Sequence, residues 1–172
     1  MSAPDTVMHP VRIEVNGRRH ERSVEARRTL ADFLREDLDL TGTHLACEHG
    51  FCGSCNVLLD GQSVRSCLML AVQADGHSIE TVEGLADRDG TLSALQQAFT
   101  DHHGLQCGFC TPAMLMTAVE FTRAHPEGGS DEQIREAIVG VTCRCTGYQQ
   151  IVESIQAASR AILAGALEGG SR

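Results

Sequence analysis

The chain has 172 residues, enough for one domain of ordinary size or for two small domains that share a core. Apolar residues make up 42% of the chain and aromatic residues only 3%, so its core must consist mainly of leucine, isoleucine, valine and alanine. A formal net charge of −9 argues against nucleic-acid binding, which needs a clustered basic surface. No stretch approaches the roughly 20 apolar residues of a membrane span.

The cellular compartment decides how the cysteines are interpreted. Two Arg-Arg pairs stand near the start, but Arg27-Arg28 leads into a charged amphipathic segment and not into the apolar core of an export signal. We therefore expect a cytoplasmic protein, in which thiols stay reduced. Eight cysteines in such a chain indicate metal or redox chemistry, whereas in a secreted chain they could form four disulfides.

The first half of the chain is predicted to form strands around one short helix. Residues 11–15 alternate apolar and polar side chains, and Asn16-Gly17 supplies a hairpin turn into a second strand. Thr29 is expected to cap a helix over residues 30–37 that carries Leu30, Phe33 and Leu34 on one face. The segments that follow are an irregular loop over 38–55, a strand over 56–62, a returning strand over 64–70 and a last strand over 78–82.

The second half is predicted to be helical and begins after a linker over residues 84–90. Thr111-Pro112 is typical of a helix start, with the Thr111 hydroxyl as the cap. Ser130 and Gln133 form a capping-box pattern. The expected helices cover residues 92–99, 113–124, 130–140 and 148–165, and the tail over 168–172 is expected to fray.

Four cysteines of the first half have the spacing of a plant-type ferredoxin: Cys47, Cys52, Cys55 and Cys67. Gly50 and Gly53 allow the positive φ angles of a loop that wraps a [2Fe–2S] cluster closely. Zinc is the chief alternative, but zinc sites usually use two closely spaced cysteine pairs. The spacing by itself therefore predicts a cluster.

The second set, Cys107, Cys110, Cys143 and Cys145, is less diagnostic. A Cys-x-Cys pair cannot lie on one helical face, so residues 143–145 must form a turn or loop. Both pairs precede predicted helices, whose N-termini carry partial positive charge and free N–H groups that favour an anionic cluster. A cluster is favoured, with zinc and buried or redox-paired thiols left as alternatives.

Three segments hold seven of the eight cysteines and are more specific than their spacing. They are Cys47-Glu-His-Gly-Phe-Cys-Gly-Ser-Cys55, Gln106-Cys-Gly-Phe-Cys-Thr-Pro112 and Cys143-Arg-Cys-Thr-Gly-Tyr148. Together they resemble the iron–sulfur (small) subunit of the molybdenum hydroxylases, the family of xanthine dehydrogenase, aldehyde oxidase and bacterial carbon monoxide dehydrogenase. The resemblance runs from about residue 11 to residue 165.

The resemblance implies an α+β protein with a β-grasp ferredoxin-like domain over residues 1–84 and a four-helix bundle over residues 85–172, each holding one [2Fe–2S] cluster. Electrons would pass from molybdenum through the C-terminal and then the N-terminal cluster to FAD. It also implies that Gln106 hydrogen-bonds the molybdopterin, expected in its cytosine dinucleotide form on a large subunit, and that the ligand Cys145 also touches the pterin. Alternatively, Gln106 braces the Cys107 turn. FAD would lie on a medium subunit, in a dimer of heterotrimers.

The chain departs from the family pattern at two places. Ala113 stands where Gly is usual, in a predicted helix where Ala is favourable. Val141-Thr142 stands where Asn-Leu is usual, and we expect altered hydrogen bonding around the second cluster.

The substrate of the complex is left open by this chain. Residues 68–85 look most like subunits of N-heteroaromatic dehydrogenases, and aldehydes, carbon monoxide and aromatic acyl-CoA are the alternative substrates. A structural zinc module and a free-standing ferredoxin are the competing classes of protein.

Overall fold

A computed structural model describes residues 7–169, and the side chains of residues 7–165. Five strands form one mixed sheet in the order β2-β1-β5-β3-β4. Neighbouring strands are antiparallel, except that β1 and β5 run parallel. The strands are β1 Met8–Val15, β2 Arg18–Glu25, β3 Asn56–Leu59, β4 Gln62–Arg65 and β5 Ser78–Glu80.

The first hairpin forms where it was predicted, although β1 begins at Met8 and not at residue 11. Val11, Ile13 and Val15 alternate into the core, as the apolar pattern requires. Asn16 and Gly17 have φ values of 51° and 73°, the left-handed geometry of a two-residue hairpin turn. This turn aligns the strands, which pair along their whole length.

The segment expected to form a helix over residues 30–37 is part α-helix and part π-helix. The Thr29 hydroxyl accepts a hydrogen bond from the Asp32 N–H at 3.0 Å, as predicted for a cap. Helix α1, Leu30–Asp32, then continues as a π-helical turn over Phe33–Asp37. Its apolar face is confirmed, because Leu30, Phe33 and Leu34 are fully buried against one side of the sheet.

Strands β3, β4 and β5 end earlier than predicted. The Asp60-Gly61 turn has φ values of 48° and 85°, so β3 ends at Leu59. The returning strand was expected to reach residue 70, but it ends at Arg65, because the buried Ser66 bends back and donates its hydroxyl to the Cys55 carbonyl at 2.7 Å. Strand β5 is followed by a 3-10 turn over Val82–Gly84.

Four helices form the second half: α2 Ala94–Asp101, α3 Thr111–Ala124, α4 Asp131–Ile138 and α5 Gln149–Gly169. Helix α2 begins two residues later than expected, because Ser93 caps it, and the Ser130 capping box of α4 is confirmed. Helix α5 begins at Gln149 because Tyr148 has a φ of 70°, and it continues past residue 165, where it was expected to stop. The predicted frayed tail is wrong for residues 168–169, which are helical, and its remaining residues 170–172 lie outside the described part.

The two halves pack through β3. Val57 belongs to the hydrophobic cluster around α1, whereas its neighbour Leu58 belongs to the cluster formed by the four helices, because successive strand residues point to opposite faces. Helix α3 lies against β3 on that second face. None of the helices within residues 7–169 has the length and apolarity needed to cross a bilayer.

Candidate metal centres

The first cysteine set lies in the loop between α1 and β3 and in the turn after β4. Cys47 and Cys52 are half-buried, and Cys55 and Cys67 are buried. The Cys52 N–H donates to Cys47 Sγ at 3.3 Å, and the Cys55 and Cys67 thiols lie within hydrogen-bond reach of each other. The structure therefore brings the four predicted thiols together as two neighbouring pairs.

The loop around Cys47 directs backbone N–H groups at sulfur. The backbone N–H of Cys52, followed by that of His49, lowers the pKa of the Cys47 thiol to about 6. Burial, and then the neighbouring Cys55 thiol, raises the pKa of Cys67 to about 11. Gly50 and Gly53 have φ values of 85° and 72°, so the predicted positive φ angles are confirmed. These N–H donors favour a negatively charged sulfur at Cys47.

The four cysteines of the second set differ in exposure. Cys110 is buried, Cys143 is half-buried, and Cys107 and Cys145 are exposed. Cys110 lies beside Cys143, and Cys107 lies beside Cys145, again as two pairs. Burial, and then the Cys143 thiol, raises the pKa of Cys110 to about 12.

Tyr148 closes the loop that carries Cys143 and Cys145. Its hydroxyl accepts a hydrogen bond from the Cys143 N–H at 2.8 Å and donates to the Val141 carbonyl at 3.3 Å. Thr146 Oγ1 lies 3.1 Å from Cys143 Sγ. These contacts of Tyr148 and Thr146 were not predicted, although a single tyrosine directly after a glycine is a signal that could have identified the loop closure.

Helix starts follow both cysteine pairs, as predicted. Cys110 is the N-cap of α3, and α5 begins four residues after Cys145. The prediction that Thr111 caps α3 is wrong, because the αR backbone of Cys110 already starts the turn and Thr111 is its first helical residue. The buried Thr111 hydroxyl has no hydrogen-bond partner among the described residues, so it is a free donor beside the second cysteine set.

The loops of the two cysteine sets are in direct contact. The Thr142 N–H donates to the Cys52 carbonyl at 2.9 Å, so a single backbone hydrogen bond joins a residue next to Cys143 to a cysteine of the first set. Gly53 packs so closely that an added Cβ would lie 2.2 Å from the Gly140 carbonyl oxygen. Val141 accepts the hydrogen bond of the Tyr148 hydroxyl at its carbonyl oxygen, and Thr142 donates its N–H to Cys52. Both residues therefore use their own backbone atoms for these hydrogen bonds.

Both halves of the chain match known iron–sulfur domain families. Residues 13–86 match the model of a 2Fe-2S iron-sulfur cluster binding domain, and residues 81–156 match that of a [2Fe-2S] binding domain. The chain is 58% identical over 153 residues to the caffeine dehydrogenase subunit gamma of Pseudomonas sp. strain CBB1, covering 88% of this chain and 91% of that protein. The chain belongs to the iron–sulfur subunits of the molybdenum hydroxylases.

Two further members of this family are similar. The nicotine 6-hydroxylase small subunit of Paenarthrobacter nicotinovorans is 59% identical over 143 residues, which cover 83% of this chain and 85% of that protein. The crystal structure of quinoline 2-oxidoreductase from Pseudomonas putida 86 contains a chain that superposes with a TM-score of 0.87 at 48% identity. The match covers 92% of this chain and 98% of that chain. The predicted ferredoxin-like domain is thereby confirmed.

The donor chemistry fits the cofactors of this family. A [2Fe–2S] cluster with four cysteines takes two thiolates on each iron, and each set presents its thiols in two pairs. A single zinc ion would instead draw four ligands around one point.

Gln106 lies at the surface, directly before the exposed Cys107. Its side chain makes no hydrogen bond to another described residue, so the structure does not show it bracing the Cys107 turn. The amide is free to meet a polar group of another molecule.

Proposed function

We propose that each cysteine set holds one [2Fe–2S] cluster and that the chain is the electron-transfer subunit between a molybdenum site and a flavin. The ligands are Cys47, Cys52, Cys55 and Cys67 for the first cluster, and Cys107, Cys110, Cys143 and Cys145 for the second. When bound, the clusters supply one-electron transfer from molybdenum to FAD. The observation that carries the proposal is the backbone hydrogen bond from Thr142 to Cys52, because it places the two loops side by side.

The residues of this chain have distinct tasks in that role. Cys110, Cys55 and Cys67 lie in the interior and give their clusters a rigid, water-poor support. Cys107, Cys145 and Gln106 lie at the surface of the helical half. In our proposal this surface faces the molybdopterin, with Gln106 and Cys145 touching it, and the Cys47 loop faces the flavin.

The assembly is part of the same proposal. A large subunit would bind molybdopterin cytosine dinucleotide, a medium subunit would bind FAD, and the complex would be a cytoplasmic dimer of heterotrimers. Relatives are named as subunits of dehydrogenases and hydroxylases, which supports partner chains. Within this chain we propose a domain boundary after residue 84 and a four-helix bundle formed by α2 to α5, supported by their shared hydrophobic cluster.

The substrate of the complex is proposed to be an N-heteroaromatic compound. Similar proteins are named for caffeine, nicotine and quinoline, all of which contain nitrogen in an aromatic ring. An aldehyde or carbon monoxide is the second candidate. The aldehyde is supported by the weaker similarity to an aldehyde oxidoreductase subunit of Escherichia coli at 38% identity.

The test is anaerobic reduction of the complex purified with its own partner chains. We expect about four irons per chain, visible absorption and two EPR signals on reduction. Nicotine, caffeine or quinoline should bleach the absorption, and benzaldehyde and carbon monoxide are the comparison substrates. A colourless chain that contains zinc would reject the cluster proposal. A chain that purifies alone and is fully competent as a carrier would instead be a free-standing ferredoxin.

A further inference from the structure

Arg65 connects the two cysteine-bearing loops. It is the last residue of β4 and lies two positions before Cys67. Its Nη1 donates to Asn56 Oδ1, and its Nη2 donates to the Gly140 carbonyl oxygen at 2.6 Å. Asn56 directly follows Cys55, and Gly140 lies three residues before Cys143. One guanidinium therefore contacts the chain neighbours of both cysteine sets.

The Asn56 side of this contact is firmly anchored. Asn56 is only 4% exposed, and its Nδ2 donates to Thr117 Oγ1 at 3.0 Å. The Thr117 hydroxyl in turn donates to the Ala113 carbonyl at 2.9 Å within α3. Because Asn56 and Thr117 are both buried and hydrogen-bonded, the Nη1 side of the Arg65 fork is held in place. A planar guanidinium suits this two-pronged contact, and an ammonium does not.

The charge of Arg65 faces carbonyl and amide oxygens. Among the described residues, no carboxylate lies within ion-pair distance of it, in contrast to Arg28 and Arg123, which pair with acidic side chains. An oxidised cluster with four thiolates carries a charge of about −2, and reduction adds one more electron. A fixed cation beside both loops favours the more negative, reduced state.

We propose that Arg65 is a positioning residue for electron transfer. It ties the two cluster-binding loops to each other and places a positive charge between them that raises the reduction potential of the clusters. This inference rests on the proposed function, because it needs both clusters to be present.

The experiment is a redox titration of the complete complex, in which dithionite supplies the electrons and EPR follows each cluster. Arg65→Gln removes the charge but keeps a hydrogen-bonding side chain, and Arg65→Lys keeps the charge but loses the fork. Arg123→Gln is the matched control, since it also removes an arginine that joins the two halves, through Glu80, but not through a cysteine-bearing loop. EPR detects only chains that carry clusters, so partial loading does not alter a midpoint potential.

We expect Arg65→Gln to lower the reduced-to-oxidised ratio of at least one cluster about tenfold at a fixed potential, which is about 59 mV for a one-electron couple. Arg65→Lys should retain most of the wild-type potential, and Arg123→Gln should leave it unchanged. Unchanged potentials in Arg65→Gln overturn the inference. It is equally overturned if the Lys variant or the Arg123 control falls as far as Arg65→Gln. A wild-type chain without iron would reject the proposed function instead, so the two failures are distinguishable.

Discussion

Tyr148 is the residue that shapes the second cysteine loop most directly. Its φ of 70° ends the loop before α5, and its hydroxyl returns to hydrogen-bond the backbone at Cys143 and Val141. The aromatic ring packs against the hydrophobic cluster of the four helices. The ring therefore anchors the loop to the core, while the hydroxyl fixes the backbone of Cys143, a proposed cluster ligand.

Removing that hydroxyl should weaken the second site selectively. We expect Tyr148→Phe to lower the stability of the helical half by about 1–2 kcal/mol, because the Cys143 N–H loses its acceptor. On heating, the EPR signal of the second cluster should disappear before that of the first. Thr122→Val removes a hydroxyl from α3 at a distance from the cysteines and serves as the control. Simultaneous loss of both signals in Tyr148→Phe would contradict this role.

Helix α3 joins the two halves at the level of whole elements. Its buried face packs on β3, and its N-terminus follows Cys110. Near its other end, Arg123 makes a two-pronged ion pair with Glu80 of β5, at 2.6 and 2.8 Å. The hydrogen bonds from Arg123 lower the pKa of the Glu80 carboxyl, so this carboxyl stays ionised to lower pH in the folded chain than in the unfolded one.

The ion pair should contribute modestly and in a pH-dependent way. A double-mutant cycle with Glu80→Gln and Arg123→Gln should give a coupling of about 0.5–1 kcal/mol at neutral pH, because both side chains are partly exposed. A lowered folded-state pKa stabilises above the unfolded pKa, and this contribution is lost as the pH falls through the folded value. Free energies of unfolding from urea titrations measure the coupling. A coupling that grows on acidification would be inconsistent with the pair.

At the scale of the whole molecule, the two halves approach each other closely where the cysteine loops meet. Gly53 has a φ of 72° and faces the backbone of Gly140 and Val141 with no room for a side chain. Gly61 has a similar φ of 85°, but an added Cβ would meet nothing within 4 Å there. The two glycines thus separate the cost of the backbone conformation from the cost of the contact.

Replacing Gly53 should therefore be much more damaging than replacing Gly61. We expect Gly61→Ala to cost about 1 kcal/mol for its left-handed backbone. Gly53→Ala should cost about 3 kcal/mol, since the methyl group must also push the two loops apart. Melting temperatures of both variants, together with the magnetic interaction between the reduced clusters by EPR, measure this difference. Equal losses at the two positions would show that the close approach does not matter.

Much of the architecture was predictable because its determinants are local. Three kinds of feature are each encoded within a few neighbouring residues and are confirmed: the Asn16-Gly17 turn, the Thr29 and Ser130 caps, and the apolar face of residues 30–37. The ends of elements were predicted less well. The early end of β4 depends on a hydrogen bond from Ser66 to Cys55, 11 residues away in the chain, which no local pattern contains.

The sequence by itself determined the chemistry of this protein, because cysteine spacing, loop glycines and the three cysteine-bearing segments specify what can bind and to which family the chain belongs. Only the tertiary structure decided which thiols are neighbours and how the two loops meet. Arg65 and Gly140 are 75 residues apart, and Asn56 and Thr117 are 61 apart. Such contacts result from the packing of α3 on β3, and this packing brings two separately encoded sites to a common boundary.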